Sequence, residues 1–283
     1  MGISPGGAMD PYALRLGQHL LHHTQDEAAI EIPLGVFSIR FSDHRRAVLT
    51  GAEAEVLIDG RPTPTHTPFD VRAGETVSIG RVTEGVYCYL HVSGGIETPR
   101  HFGSRSTSPR DGIGGLEGRT LQAGDCVPLG EAYTADGRPP VARAAAATPE
   151  ILTLRFIPGF QIELFPPSAK QRLEQQIFSV SARANRMGVT LQGQPIETGL
   201  ATLLSEATCA GAIQIPPDGQ PIILLADRQT VGGYPKAGAV IQSDCARLAQ
   251  ARPGQNIRLT PCSLAEADRV RWLESNYEQE RFR

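Results

Sequence analysis

Short apolar runs cut by glycine and proline dominate the chain, and long stretches of helical periodicity are scarce. Phe37-Ser38-Ile39-Arg40-Phe41 alternates apolar and polar positions, which predicts a half-buried strand. Ala54-Glu55-Val56-Leu57-Ile58, Thr76-Val77-Ser78-Ile79 and Gly85 to Val92 add three more strands rich in β-branched and aromatic side chains, and Asp59-Gly60 supplies a turn directly after the first of them. The first half therefore reads as one barrel or sandwich. Beyond Gly130 the strand pattern lapses, and Pro139-Pro140 followed by Val141 to Pro149 reads as a connector. This divides the chain into an N-terminal domain over 1–145 and a C-terminal domain over 150–275. The second half restarts with Ile151 to Ile157, stopped by Pro158-Gly159, and holds the run Pro221 to Ala226; both suit buried strands.

Helices are expected to be few and short. Asp10 can cap free amides while Pro11 takes a first-turn position that needs no donor, and Ala13, Leu16 and Leu20 then share one face. Ser168 with Gln171, ahead of Leu173 and Ile177, has capping-box spacing, as does Ser263 with Glu266, ahead of a terminal helix containing Trp272. The polar tail from Glu274 to Arg283 is expected to fray.

Composition adds a few exclusions. Among 283 residues, 30 glycines and 22 prolines reinforce the β-rich reading. A net charge of −3 and a pI near 6.2 disfavour nucleic-acid binding, which needs a concentrated cationic surface, and equally disfavour a charge-driven membrane role. No run approaches the roughly 20 apolar residues of a membrane span, and Met1 to Gly7 lacks the basic and apolar parts of a secretory leader, so a cytoplasmic protein is expected. The 5 cysteines form no CxxC pair and the 7 histidines no HExxH, so neither disulfides nor a metal site is expected. No GxSxG elbow exists, and Cys209, with no histidine after His101, reads as a buried thiol.

Chemistry concentrates between Gly211 and Lys236. Asp227-Arg228-Gln229-Thr230 follows an apolar run directly, so a strand would deliver an acceptor, a guanidinium and an amide onto a rim. Gly232 and Gly233 would let backbone approach a ligand there, and Tyr234 and Lys236 would close the site. The same residues also suit an ordinary turn, with Asp227 and Thr230 bonding local amides and Gly232-Gly233 forming a tight hairpin. Lys236 shares the whole chain with only one other lysine, Lys170, and is a candidate anchor for a carboxylate or phosphate. A second cluster, His101 to Thr107, flanks Arg105 with Ser104 and Ser106, a set that suits an oxyanion or an ordered loop with a salt-bridged arginine. Neither a P-loop ending nor a GxGxxG accompanies it. Asn185-Arg186-Met187-Gly188 reads as a turn that exposes a guanidinium or sets it in a cleft between domains.

Taken together and in order, Pro5 to Arg15, Val92-Ser93-Gly94-Gly95-Ile96, Gly103 to Thr107, Arg186-Met187-Gly188 and the Gly211–Lys236 block resemble the biotin-dependent carboxyltransferase family. That family includes allophanate-hydrolase-subunit-2-like proteins, the C subunit of 5-oxoprolinase and part of urea carboxylase. The resemblance implies a mainly β chain of two cyclophilin-like β-barrel domains. Because the chain starts at the glycine-rich segment, the first barrel is expected to lack its usual first strand. Asn185 stands where the family often has aspartate, and Val231 where threonine is usual.

The resemblance also implies a component of an ATP-dependent 5-oxoprolinase-like amidohydrolase, working with a subunit-B-like (subunit-1-like) protein and a lactam-hydrolase component. Carboxyl transfer from a partner's carboxybiotin to urea or a small amide is one alternative, and a noncatalytic regulatory partner-binding module is another. A carboxylate or carboxyphosphate-like ligand would then lie against Arg105, Arg186 and Lys236. Asp227 would be a proton acceptor, Gln214, Gln229 and Tyr234 would orient amide or carboxyl groups, and Ser104, Ser106, Arg228, Gly232 and Gly233 would line the site.

Overall fold

The computed structural model describes residues 2–23, 27–132, 148–200 and 203–281. All but the last two residues of the expected connector over 139–149 lie outside them. The chain divides into two compact units, Gly6–Ala147, and Met1–Pro5 taken together with Thr148–Arg283.

The Gly6–Ala147 unit opens with helix α1 (Pro11–Leu20), where Asp10 accepts from the Ala13 amide at 3.0 Å and Pro11 fills the first turn. Six strands follow: β1 (Ile30–Pro33), β2 (Phe37–Arg40), β3 (Arg45–Ile58), β4 (Arg61–Thr63), β5 (Phe69–Val71) and β6 (Thr76–Val92). They form one sheet in the order β1-β6-β3-β4, with β2 also on β6 and β5 also on β3. Asp59 and Gly60, at φ 46° and 79°, make the two-residue turn that pairs Ile58 with Arg61.

The sequence reads Thr76–Ile79 and Gly85–Val92 as separate strands, whereas the structure has one continuous β6. Gly80 and Gly85 look like strand breakers, yet the β3–β6 ladder carries register shifts between Gly51 and Val56 that bend both strands without ending them. Gly80 also leaves room for a neighbour, since a Cβ there would lie 2.8 Å from Glu55 Oε2. One face of the sheet packs Leu49, Val56, Val71, Val77, Ile79, Leu90 and Val92 into the core. The other carries α1. Thr50 Oγ1 donates to the Ala13 carbonyl at 2.7 Å, and Gly17 lies flat against His91, where a Cβ would come within 2.1 Å of the ring. Burial, helped by nearby His23, pushes the His91 pKa down to about 3.

The second unit contains β7 (Ile151–Pro158), a 3-10 turn (Phe160–Leu164), α2 (Pro167–Gln175), β8 (Phe178–Asn185), β9 (Gly188–Gln192), β10 (Glu206–Ala207), β11 (Ala212–Gln214), β12 (Ile222–Leu224), β13 (Val231–Gly232), β14 (Lys236–Val240), α3 (Gln242–Ala249), β15 (Asn256–Pro261) and α4 (Leu264–Arg281). Seven of the strands close a barrel in the order β11-β12-β9-β8-β15-β7-β14. Alternation along β7 sends Leu152, Leu154 and Phe156 inward, where Leu191, Ile213, Ile223 and Leu259 are also buried.

Asp244, in the first turn of α3, ties that helix to β7. Its carboxylate accepts from Arg155 N, Nε and Nη2, each at 2.8 Å, and from Arg247 Nη1 at 3.1 Å, while remaining fully buried. Burial drives this carboxyl upward, but the Arg155 bonds outweigh it and hold the acid below the ordinary carboxylate range.

Two helix expectations need correction. The Ser168–Gln171 box does not form, because α2 starts at Pro167, with Pro166 in the cap position, and so encloses Ser168. Leu173 is buried there, whereas Ile177 lies past the helix end and is exposed. The tail does not fray from Glu274: α4 continues to Arg281, since that stretch offers helix formers and neither glycine nor proline. Its start is the expected box, with Glu266 N donating to Ser263 Oγ at 3.2 Å and Ser263 N to Glu266 Oε2 at 2.7 Å. Ser263→Ala is expected to speed amide exchange over the first turn of α4 and leave the barrel strands unchanged, as hydrogen-exchange mass spectrometry would read.

Candidate functional site

The β8–β9 hairpin turns on Asn185, whose Oδ1 accepts from the amides of Met187 at 2.8 Å and Gly188 at 3.3 Å. Aspartate would supply the same acceptor oxygen, so asparagine preserves this turn. The hairpin presents Arg186, which grips Asp227 with two parallel bonds, Nε to Oδ2 at 2.7 Å and Nη2 to Oδ1 at 2.8 Å. The pairing is reinforced by the Asp227 amide donating to the Arg186 carbonyl at 2.9 Å. Both Asp227 oxygens thus face a planar guanidinium, an arrangement that fixes the arginine's direction.

Lys236 is engaged elsewhere, at the start of β14. Its ammonium lies 2.5 Å from Glu206 Oε1 and donates to the Ala207 carbonyl at 3.1 Å. Its backbone amide donates to Gln161 Oε1 at 2.7 Å, and Gln161 Nε2 donates in turn to Glu206 Oε1. Lysine, glutamate and glutamine therefore form a closed ring of bonds. The lysine reaches it through a bulge: Ile213 pairs with Gly238 but Gln214 pairs with Lys236, so Ala237 is the extra residue. Without that bulge Gln214 would oppose Ala237, and Lys236 would be turned to the other face.

Gln214 is 1% exposed and its Nε2 has no hydrogen-bond partner among the described residues. The amide lies against Gly232, where a Cβ would come within 2.5 Å of Nε2. Gly233 is equally tight, a Cβ there falling 2.7 Å from the Leu203 carbonyl. These two glycines do not form the tight hairpin considered from the sequence. Gly232 belongs to β13, opposite Glu206 of β10. Arg228 has a buried Nε without an acceptor among the described residues, and its carbonyl accepts from Ser4 Oγ. Gln229 uses its carbonyl to receive Thr208 Oγ1, and Tyr234 is partly exposed.

Sequence reasoning singles out Asp227, Arg186, Lys236 and Gln214. It misses Glu206 and Gln161, which sit in unremarkable stretches and reach Lys236 only through long-range pairing. Topology also separates the groups within this unit: Gln214 pairs with Ile222, the first residue of β12, while Asp227 lies past the last.

Ser104, Arg105 and Ser106 belong to the Gly6–Ala147 unit. Arg105 donates to the Thr98 carbonyl and lies 3.7 Å from Glu97 Oε1, while Ser104 Oγ accepts from Ser106 N at 3.1 Å. Here the salt-bridged-loop reading describes the local contacts. Cys209 is exposed, contrary to the buried thiol expected, because it occupies the turn leading from β10 to β11. Cys88 and Cys245 are the buried cysteines, the latter in α3. Burial, with Asp244 and Cys209 adding, pushes the Cys245 thiol up to about 12, which leaves little thiolate. Among the described residues no three His, Cys, Asp or Glu side chains are grouped to hold a metal ion, and no helix is long and apolar enough to cross a membrane.

Residues 1–261 match the family model described as carboxyltransferase domain, subdomain A and B. The chain belongs to this family. The match takes in the whole Gly6–Ala147 unit, the other unit up to residue 261 and every candidate site residue, whereas α4 lies beyond it. The chain is 38% identical over 271 residues to the C subunit of 5-oxoprolinase from Haemophilus influenzae, covering 95% of this chain and 86% of that protein. It is 36% identical over 280 residues to the corresponding C subunit of 5-oxoprolinase from Escherichia coli, covering 98% and 88%. Among solved structures, the urea amidolyase of K. lactis superposes with a TM-score of 0.91 at 24% identity, covering all of this chain and 18% of that one. This last likeness establishes the shared mainly β carboxyltransferase fold.

Proposed function

We propose that this chain is one component of an ATP-dependent amidohydrolase that opens 5-oxoproline to glutamate in the cytosol. It works with a subunit-B-like protein and a lactam-hydrolase component, and ATP is consumed by the assembly. The observation that carries this reading is 36–38% identity, over nearly the whole chain, to two proteins named as the C subunit of 5-oxoprolinase. Lys236 is the cation that meets the substrate's carboxylate or carbonyl oxygen, and Arg186, aimed by Asp227, is a second. Arg228, Gln229, Gly232, Gly233 and Tyr234 line that site, while Arg105 with Ser104 and Ser106 is a candidate anion-binding loop within the Gly6–Ala147 unit.

Co-expression with the two partner components and measurement of 5-oxoproline-dependent ADP release tests the reading. Lys236→Met is expected to reduce that release by about tenfold or more, the consequence of losing one charge-assisted bond. No release from the complete wild-type assembly overturns the proposal.

A second reading, carboxyl transfer from carboxybiotin to urea or a small amide, is favoured by 29% identity over 282 residues to the urea amidolyase of Saccharomyces cerevisiae, of which 15% is covered. Lys236 and the unpartnered Gln214 amide have the donor chemistry to hold the carboxylate carried by a partner's biotin. Recovery of a biotinylated partner would favour it. Tight partner capture with no turnover in any combination would instead favour a binding module.

A further inference from the structure

The closed ring around Lys236 leaves two groups unused, and their chemistry is complementary. Gln214 offers amide N–H donors that have no acceptor among the described residues, although the side chain is 1% exposed. A buried donor left in this state carries a desolvation cost that an incoming oxygen would relieve. Glu206 directs one oxygen, Oε1, at Gln161 and Lys236; neither bond involves Oε2. The two groups are neighbours by construction. Glu206 stands opposite Gly232 in the β10–β13 ladder, so its side chain shares a face with the place where Gly232 has none. Gln214 Nε2 fills that place, 2.5 Å from where the missing Cβ would be.

A donor next to an acceptor, beside a lysine, matches one edge of a particular functional group. An amide whose N–H and C=O lie on the same side, as in a lactam ring or in urea, presents an acceptor and a donor side by side. An ordinary open-chain secondary amide is trans and points them in opposite directions. We infer that Gln214 and Glu206 together read the cis-amide edge of the substrate, Gln214 donating to its carbonyl oxygen and Glu206 Oε2 accepting its N–H. Gln161 is a positioning residue for the Glu206 carboxylate, and Lys236 holds that carboxylate while its remaining N–H meets the substrate's own carboxylate. The inference rests on the amidohydrolase reading for the identity of its lactam, and the urea reading would use the same edge.

The test uses the full assembly, with KM for 5-oxoproline and competitive inhibition by N-methyl-5-oxoproline, which keeps the carbonyl but has no N–H. Gln214→Leu removes the unpartnered donor. It is expected to raise KM on the order of ten- to a hundredfold while the melting temperature stays level or rises, since no native bond is lost. A purely structural glutamine would show the reverse, a lower melting temperature with KM unchanged. Glu206→Gln, at a partly exposed position, serves as the independent variant. It should erase the wild-type preference for the N–H lactam over its N-methyl analogue.

Unchanged KM in Gln214→Leu together with undiminished discrimination in Glu206→Gln overturns the inference. If the wild-type assembly releases no ADP, titration calorimetry of the full chain with 5-oxoproline and with urea separates the two ideas. Binding that is lost in Gln214→Leu supports the cis-amide site while retiring the amidohydrolase reading. Binding of neither compound, or binding indifferent to both substitutions, overturns the site as well.

Discussion

Asp244→Ala is expected to lower the free energy of unfolding by about 3 kcal/mol or more, read as a fall in the urea midpoint at unchanged slope. The carboxylate is fully buried and accepts three bonds from Arg155 and one from Arg247. Its removal strands a backbone amide and a guanidinium at the join of β7 and α3. The same pair makes stability depend on acid. The folded carboxyl titrates below its unfolded value, so its contribution is complete above the ordinary carboxylate range and disappears as pH falls through the depressed folded value. Asp244→Ala should therefore flatten the acid limb of the stability curve as well as lower its plateau. A variant with the wild-type acid dependence would show that another carboxylate governs that limb.

Gly51→Ala is expected to be of similar severity, at about 3 kcal/mol. Gly51 sits at φ +91° where the β3–β6 ladder shifts register, and a methyl there would fall 2.3 Å from the Tyr87 carbonyl. Left-handed backbone strain and forced displacement of a neighbouring strand each contribute roughly 1–3 kcal/mol. Gly60→Ala separates the two effects. It shares the left-handed backbone, at φ +79°, but has nothing within 4 Å of the added carbon, so it should cost about 1 kcal/mol. Equal losses in the two variants would place the whole effect in backbone strain.

Features set by neighbours in sequence are legible, and those set by distant pairing are not. Asp10-Pro11, Asp59-Gly60 and Ser263 with Glu266 each carry their bonding partners within a few residues, and each forms as read. Ile151 to Ile157 announces its strand as an apolar run stopped by Pro158-Gly159, and β7 spans it. By contrast, Gly80 and Gly85 signal a break that the bulged ladder absorbs, because a glycine's local freedom says nothing of the strand beside it. Of the site, Lys236 stands out by rarity, Asp227 by its place directly after an apolar run, and Arg186 by its turn and the family resemblance. Glu206 stays hidden because it meets Lys236 only through a two-residue ladder and a bulged one.

The first residues of the chain belong with its last half. Ser4 Oγ donates to the Arg228 carbonyl and Thr230 Oγ1 to the Gly2 carbonyl, so Gly6–Ala147 is a contiguous insertion within a discontinuous unit. No single cut can then release both pieces whole. Severing the chain near residue 147 would carry off the Met1–Pro5 segment with the wrong fragment, baring the backbone of the loop that follows Asp227. Dissection of this protein calls for a circularly permuted or re-tethered C-terminal piece.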